Sequence, residues 1–196
     1  MTEAEPNGAS SFGSNSGAIE ALADQQKVIG YPITLTKFVI FNVLTLGIFE
    51  IIWAFKHFRA LKGPGKSKTA AAIIFAIFLP LSFFDMMKEY EAVSSDTNSP
   101  IVFNKYFLAV SYFFFEAVIK FADRFPSMPD WAVLAVFPFS LIPLIIVQRK
   151  INQLNTTLRP GVPFAQPMTW KHWLGLAFGV LVLLAMLIGA ALLSDK

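Results

Sequence analysis

From Phe38 onward the chain alternates long apolar runs with short polar or basic connections, and five such runs stand out. Run one is Phe38–Phe55, interrupted by Asn42, Thr45, Gly47 and Glu50. Run two is Thr69–Phe84, broken by Pro80. Run three is Tyr106–Ile119, with Ser111 and Glu116 inside it. Run four is Trp131–Val147, with Pro138 and Pro143. Run five, Trp173–Leu193, holds neither charge nor proline. Apolar runs of this length predict α-helices solvated by lipid. At ~1.5 Å per residue only run five clears a ~30 Å hydrocarbon core unaided. Runs two and four reach that length with their flanks, whereas run three is short enough for a re-entrant or interfacial helix. The pattern predicts an all-α, polytopic transmembrane helix bundle of four or five membrane helices over residues 31–196. Residues 1–30, polar, small and acidic, predict a disordered tail.

Composition agrees with the pattern. Hydrophobic residues make up 55% of the chain and charged residues 15%, with 21 Phe among 196 positions, whereas soluble domains run nearer a quarter charged. A net charge of +3, with no basic tract interleaved with aromatics, argues against nucleic acid. The absence of Cys removes disulfides, iron–sulfur clusters and thiol catalysis. No basic-then-apolar leader of the signal-peptide type opens the chain.

Charge distribution leaves the orientation open. Lys56, Arg59, Lys62, Lys66 and Lys68 follow run one, and Arg149, Lys150, Arg159 and Lys171 follow run four. Cytoplasmic loops collect Lys and Arg. Five crossings put these two basic stretches on opposite faces; demoting run three puts them together. Runs two and four also end alike, Leu79-Pro80-Leu81 and Ile142-Pro143-Leu144, and runs one and three each place a Glu after Phe. A two-helix unit repeated in parallel would explain both likenesses.

The carboxylates inside runs one and three are the candidate chemistry, since an ionised group facing hydrocarbon costs several kcal/mol or more. On a continuous helix Asn42, Thr45, Phe49, Trp53 and Lys56 form one stripe, with Glu50 at its edge. That seam either lines a substrate or proton path or serves interhelical hydrogen bonding. Glu116 and Lys120 stand in the favourable i,i+4 order, which predicts self-neutralisation. In run five Gly175, Gly179, Ala185, Gly189 and Ala190 share an arc of about 140°, a small-residue face that lets helix backbones approach. Packing within the chain and packing on a second copy are both open.

Other motifs have bland readings. Ala60–Ser67 nearly matches the phosphate-binding P-loop, but that loop needs a preceding strand; here an apolar helix is expected, so no nucleotide is. His57 and His172 lack companion ligands, so no metal site is expected, nor any cofactor. No nucleophile elbow or paired-Asp motif points to catalysis, and the chain reads as non-enzymatic.

Thr45-Leu46-Gly47-Ile48-Phe49-Glu50-Ile51-Ile52-Trp53, followed by Lys56, resembles a group of small bacterial membrane proteins classed as a domain of unknown function. Their first membrane helix carries Thr-x-Gly-Ile-Tyr-x-x-x-Trp; this chain has Phe49 for the Tyr and Glu50 where a small residue is common. Ile151-Asn152-Gln153-Leu154-Asn155 is similar to an Asn-x-x-Asn element after a later helix. The resemblance implies a bacterial inner-membrane protein and supplies no activity. The leading expectation is a membrane protein acting by helix–helix association with a membrane partner or itself, as an assembly subunit, regulator or toxin-immunity protein. The rival is a small transporter or channel with its polar seam around Glu50.

Overall fold

The computed structural model describes residues 29–95, 97, 100–124, 130–158, 169–170, 173–181 and 184–185. Every regular element among them is helical: α1 Leu35–Leu44, α2 Ile48–Lys62, α3 Lys66–Ile77, α4 Leu79–Ser94, α5 Lys105–Phe121, a 3-10 turn Ala122–Arg124, and α6 Asp130–Leu158. Residues 173–181 of run five are also helical. The all-α expectation holds. By length and composition one helix, Ala135–Leu158, could cross a membrane. The expected tail lies outside the described residues up to 28, but Ile29 and Gly30 are packed against the helices.

Run one is not a single helix. After Leu44 the backbone turns through Leu46 and Gly47, both at positive φ (49° and 88°). Gly takes this conformation without penalty, while Leu takes it at a cost of about 1–2 kcal/mol. Thr45 supports both sides of the break: its hydroxyl donates to the Phe41 carbonyl at 2.7 Å and accepts from the Phe49 N–H at 3.0 Å. The arms then fold back on each other. The Phe38 and Trp53 rings lie 5.4 Å apart, although fifteen residues of straight helix would separate them by ~22 Å. Phe49 stacks on Phe41 at 4.9 Å and seals the inside of the bend.

Run two is bent as well. Pro80 lies in the first turn of α4, where its missing N–H is harmless. Ser82 closes the inside of the bend by donating to the Phe75 carbonyl at 2.6 Å, a contact that a straight helix would hold two turns apart. By contrast, α6 continues through both Pro138 and Pro143 to Leu158. The Leu-Pro-Leu and Ile-Pro-Leu ends are therefore not equivalent, which removes one of the two likenesses behind a parallel repeat.

Helix α2 packs on α3, α5 on α6, and α4 on α5. The shared core is aromatic: Phe38, Phe41, Phe49, Trp53, Phe58, Phe83, Tyr90 and Tyr112 are buried, with Met86, Met87, Leu141, Leu144 and Ile151 between them. The outside is apolar too. Ile51, Ile52, Ile73, Ile74, Ile77, Phe78, Leu81, Tyr106, Phe107 and Phe114 are exposed.

Candidate functional site

Two polar clusters lie inside this apolar body. The first begins on α6, where Gln148, Asn152 and Asn155 share one face at i, i+4 and i+7 spacing. All three are buried, and all reach the extended segment before α1. The Gln148 amide N–H donates to the Tyr31 carbonyl (3.2 Å) and to Asn152 Oδ1 (2.7 Å). Asn152 Nδ2 donates to the Ile33 carbonyl (2.9 Å). Asn155 brackets Ile29, accepting its N–H and donating to its carbonyl, both at 2.9 Å.

On its other side Gln148 binds α2. Its Oε1 accepts from Trp53 Nε1 at 2.6 Å and from His57 Nε2 at 3.1 Å. Trp N–H is donor-only, so Gln148 must point its oxygen there. His57 Nε2 therefore carries the hydrogen, and Nδ1 accepts from the Tyr90 hydroxyl of α4. Gly30 (φ 75°) lies against that hydroxyl, and a Cβ there would collide with it. The network is closed, with each polar side-chain atom engaged. Its chemistry is cohesion: it ties α2, α4, α6 and residues 29–33 at one level.

The second cluster joins α2 to α5. Glu50 is buried, and its Oε1 accepts from the hydroxyl of Tyr112, itself fully buried. One turn further along α5, Glu116 pairs with Lys120 at 3.5 Å, as the i,i+4 order predicts. The series Tyr112, Glu116, Lys120 runs along one face of α5 from the buried Glu50 outward, Lys120 being 58% exposed at its side chain.

The expected stripe does not exist, because the break at Thr45–Gly47 divides it. Asn42 lies on α1, Thr45 caps its end, and Glu50 and Lys56 lie on α2. Asn42 is fully buried, its Nδ2 donating to the Phe38 carbonyl at 2.9 Å. Its Oδ1 is the one buried side-chain polar atom without a partner among the described residues. Lys56 stands 4.0 Å over the Tyr31 ring, away from Glu50's cluster. In run five a Cβ on Gly179 would meet the Leu44 carbonyl oxygen at 2.6 Å, whereas Gly175 has nothing within 4 Å. Gly179 is thus a packing residue within the chain, against the break. Ala185 is exposed; Gly189 and Ala190 lie outside the described residues.

Residues 60–67 have the connectivity expected of a helix turn rather than of a P-loop. Helix α2 leads into them, Gly63 and Gly65 take positive φ, and Arg59 donates to the Gly65 carbonyl at 3.2 Å. No group of three potential metal ligands gathers among the described residues. Sequence reasoning missed Tyr112, Tyr90 and Gln148. Only the α6 face was signalled, by the Gln and Asn spacing after run four.

No protein-family model, no curated protein and no solved structure matches this chain.

Proposed function

We propose that the protein is a non-enzymatic helical protein of a lipid bilayer, the bacterial inner membrane by the resemblance noted above. We propose further that it acts as a small transporter or channel-type protein whose polar path passes Glu50. The observation that carries this reading is the fold-back of α1 and α2. Gly47 packs near Phe137 of α6, while both arms return to Gln148 on the same helix. Eleven residues of α6 are ~16 Å, about half of a ~30 Å hydrocarbon core. With the apolar outer face in lipid, Asn42, Thr45 and Glu50 lie at that depth. Broken helices at mid-depth are tolerated where they are buried in protein or line a cavity, and transporters build binding sites from them.

Helix association with a partner or a second copy is the second reading. The groove on the outer face of α5, about 510 Å³, lined by Tyr106, Phe107, Val110, Ser111, Phe114 and Phe115, favours it. The small-residue face of run five favours it less, since Gly179 is engaged within the chain.

Reconstitution separates the two. Liposomes holding wild type, Glu50→Gln or Glu116→Gln are compared for proton and cation flux. The transporter reading expects flux above empty liposomes, lost in Glu50→Gln while the helical fold persists. Absence of flux, together with a defined cross-link through the outer face of α5, would replace it with association.

A further inference from the structure

The basic stretches at 56–68 and 149–150 lie at one end of the molecule, because runs one and two each return to the side they started from; in run two α3 begins at Lys66, just after Lys62, and Glu89 of α4 pairs with that same Lys62. Gln148 binds residues 31 and 33 ahead of α1 and also Trp53 and His57 near the far end of α2. In a single crossing those ends would stand on opposite sides. Helix α5 starts at the same end: Lys105 pairs with Glu91 of α4, and Lys150 of α6 donates to the Val102 carbonyl. From there α5 descends through 17 residues, ~25 Å, to the turn at Ala122–Arg124.

The common end is strongly cationic. Lys56, Arg59, Lys62, Lys66, Lys68, Lys105, Arg149 and Lys150 all lie there, and Lys66, Lys68 and Arg149 are exposed. Its described ion pairs, Lys62–Glu89 and Lys105–Glu91, leave those three outside any carboxylate pairing. Directly below begins the apolar outer face, with Ile51, Ile52, Ile73 and Ile74 exposed.

Resting on the bilayer reading above, we infer that α1–α2 and α3–α4 are both re-entrant hairpins and that this cationic end faces an anionic phospholipid leaflet. Residues 56–68 and 149–157 then share one side of the membrane. The conflict between the two basic stretches disappears without demoting run three: α5 is a continuous helix, and run two, folded back between α3 and α4, is the segment whose failure to cross puts them on one side. Cations bordering an apolar belt meet anionic headgroups at the depth where lipid places them, and basic residues collect on the cytoplasmic side.

Two measurements test this on the full chain, which has no native Cys. In right-side-out vesicles, Thr36→Cys, Ser67→Cys and Thr157→Cys, all exposed positions, are labelled by membrane-impermeant maleimide from the same side, and Arg124→Cys from the other. In neutral micelles, phosphatidylglycerol reaches half-maximal thermal stabilisation at a concentration at least about fivefold below that of phosphatidylcholine, the factor for a single cation near an anionic surface. The Lys66→Gln/Lys68→Gln/Arg149→Gln variant loses that difference.

Labelling of residues 36 and 67, or of 67 and 157, from opposite sides overturns the inference, as does equal stabilisation by the two lipids. Equal stabilisation by inorganic phosphate overturns the leaflet as partner. Release of wild type by alkaline carbonate would overturn the bilayer reading itself; retention with opposite-side labelling overturns only the re-entrant hairpins.

Discussion

The Trp53 indole N–H donates to the Gln148 side-chain carbonyl at 2.6 Å, across 95 positions of sequence. That oxygen also takes the His57 N–H, so one amide holds two donors of α2 against α6. Gln148→Leu fills a similar volume but leaves the Trp53 and His57 donors buried without acceptors, each worth about 1–3 kcal/mol. The expected result is a loss of several kcal/mol in equilibrium unfolding in mixed micelles. A loss under about 1 kcal/mol would mean that water replaces the amide and that the cluster is not dry.

Tyr112 and Glu50 give an asymmetric pair of mutants. Tyr112→Phe removes the hydroxyl and leaves a buried carboxyl without its donor, expected to cost about 1–3 kcal/mol. Glu50→Gln keeps an oxygen to accept from Tyr112 and is expected to cost less. Unfolding of the two variants side by side checks the order, and the reverse order would show that Tyr112 does not serve Glu50.

Run five supplies a matched control. Gly179→Ala sets a Cβ against the Leu44 carbonyl and is expected to loosen residues 173–181 from the break, seen as faster hydrogen exchange there. Gly175→Ala meets open space and should be neutral or slightly stabilising, because Ala is the better helix former by up to ~1 kcal/mol. Equal effects would indicate that this helix does not rest on the break.

Glu91 sets a pH dependence at the cationic end. Partial burial pushes its carboxyl up, but the Lys105 ammonium, the Phe103 N–H and the charge of Lys150 outweigh this and hold it below the usual range. A depressed folded value means that the stabilisation is complete above the unfolded value of ~4.3 and fades as pH falls through the lower folded one. The stability gap between wild type and Glu91→Gln should therefore be widest near neutrality and shrink below about pH 4. A gap unchanged between pH 7 and 3 would contradict the assignment.

Asn42 invites a gain. Its Oδ1 is buried with no partner, a desolvation worth about 1–3 kcal/mol. Asn42→Leu is expected to raise the unfolding temperature in micelles. If the same change abolishes flux in liposomes, the amide is held there for the path rather than for the fold.

The helices were legible because apolar runs bounded by basic and Gly/Pro stretches have few other solutions. Glu116 with Lys120 was legible for the same local reason, four residues on one helix. The fold-back of run one was not. Thr45 and Gly47 read as polar interruptions of a span, because nothing local distinguishes a tolerated Gly from one at positive φ. Pro80 and Pro143 looked alike and act differently, since Pro80 falls in the first turn of a new helix and Pro143 well inside α6. Glu50's partner lies 62 positions away, and Gln148's partners on α2 and before α1 lie farther still. Such pairings are decided by which helix faces meet.

The clamp on residues 29–33 also sets an order of events during synthesis. Gln148 lies 117 positions after Tyr31, and Asn155 lies 126 after Ile29. At ~5–20 residues per second the ribosome needs roughly 6–25 s to bring those amides out. Through that interval the carbonyls of residues 29, 31 and 33 and the Trp53 and His57 donors must find other partners, headgroup water being the nearest. A chain stopped short of α6 would carry the hairpin without its fastening, and such nascent chains are the ones that a membrane quality-control protease would meet first.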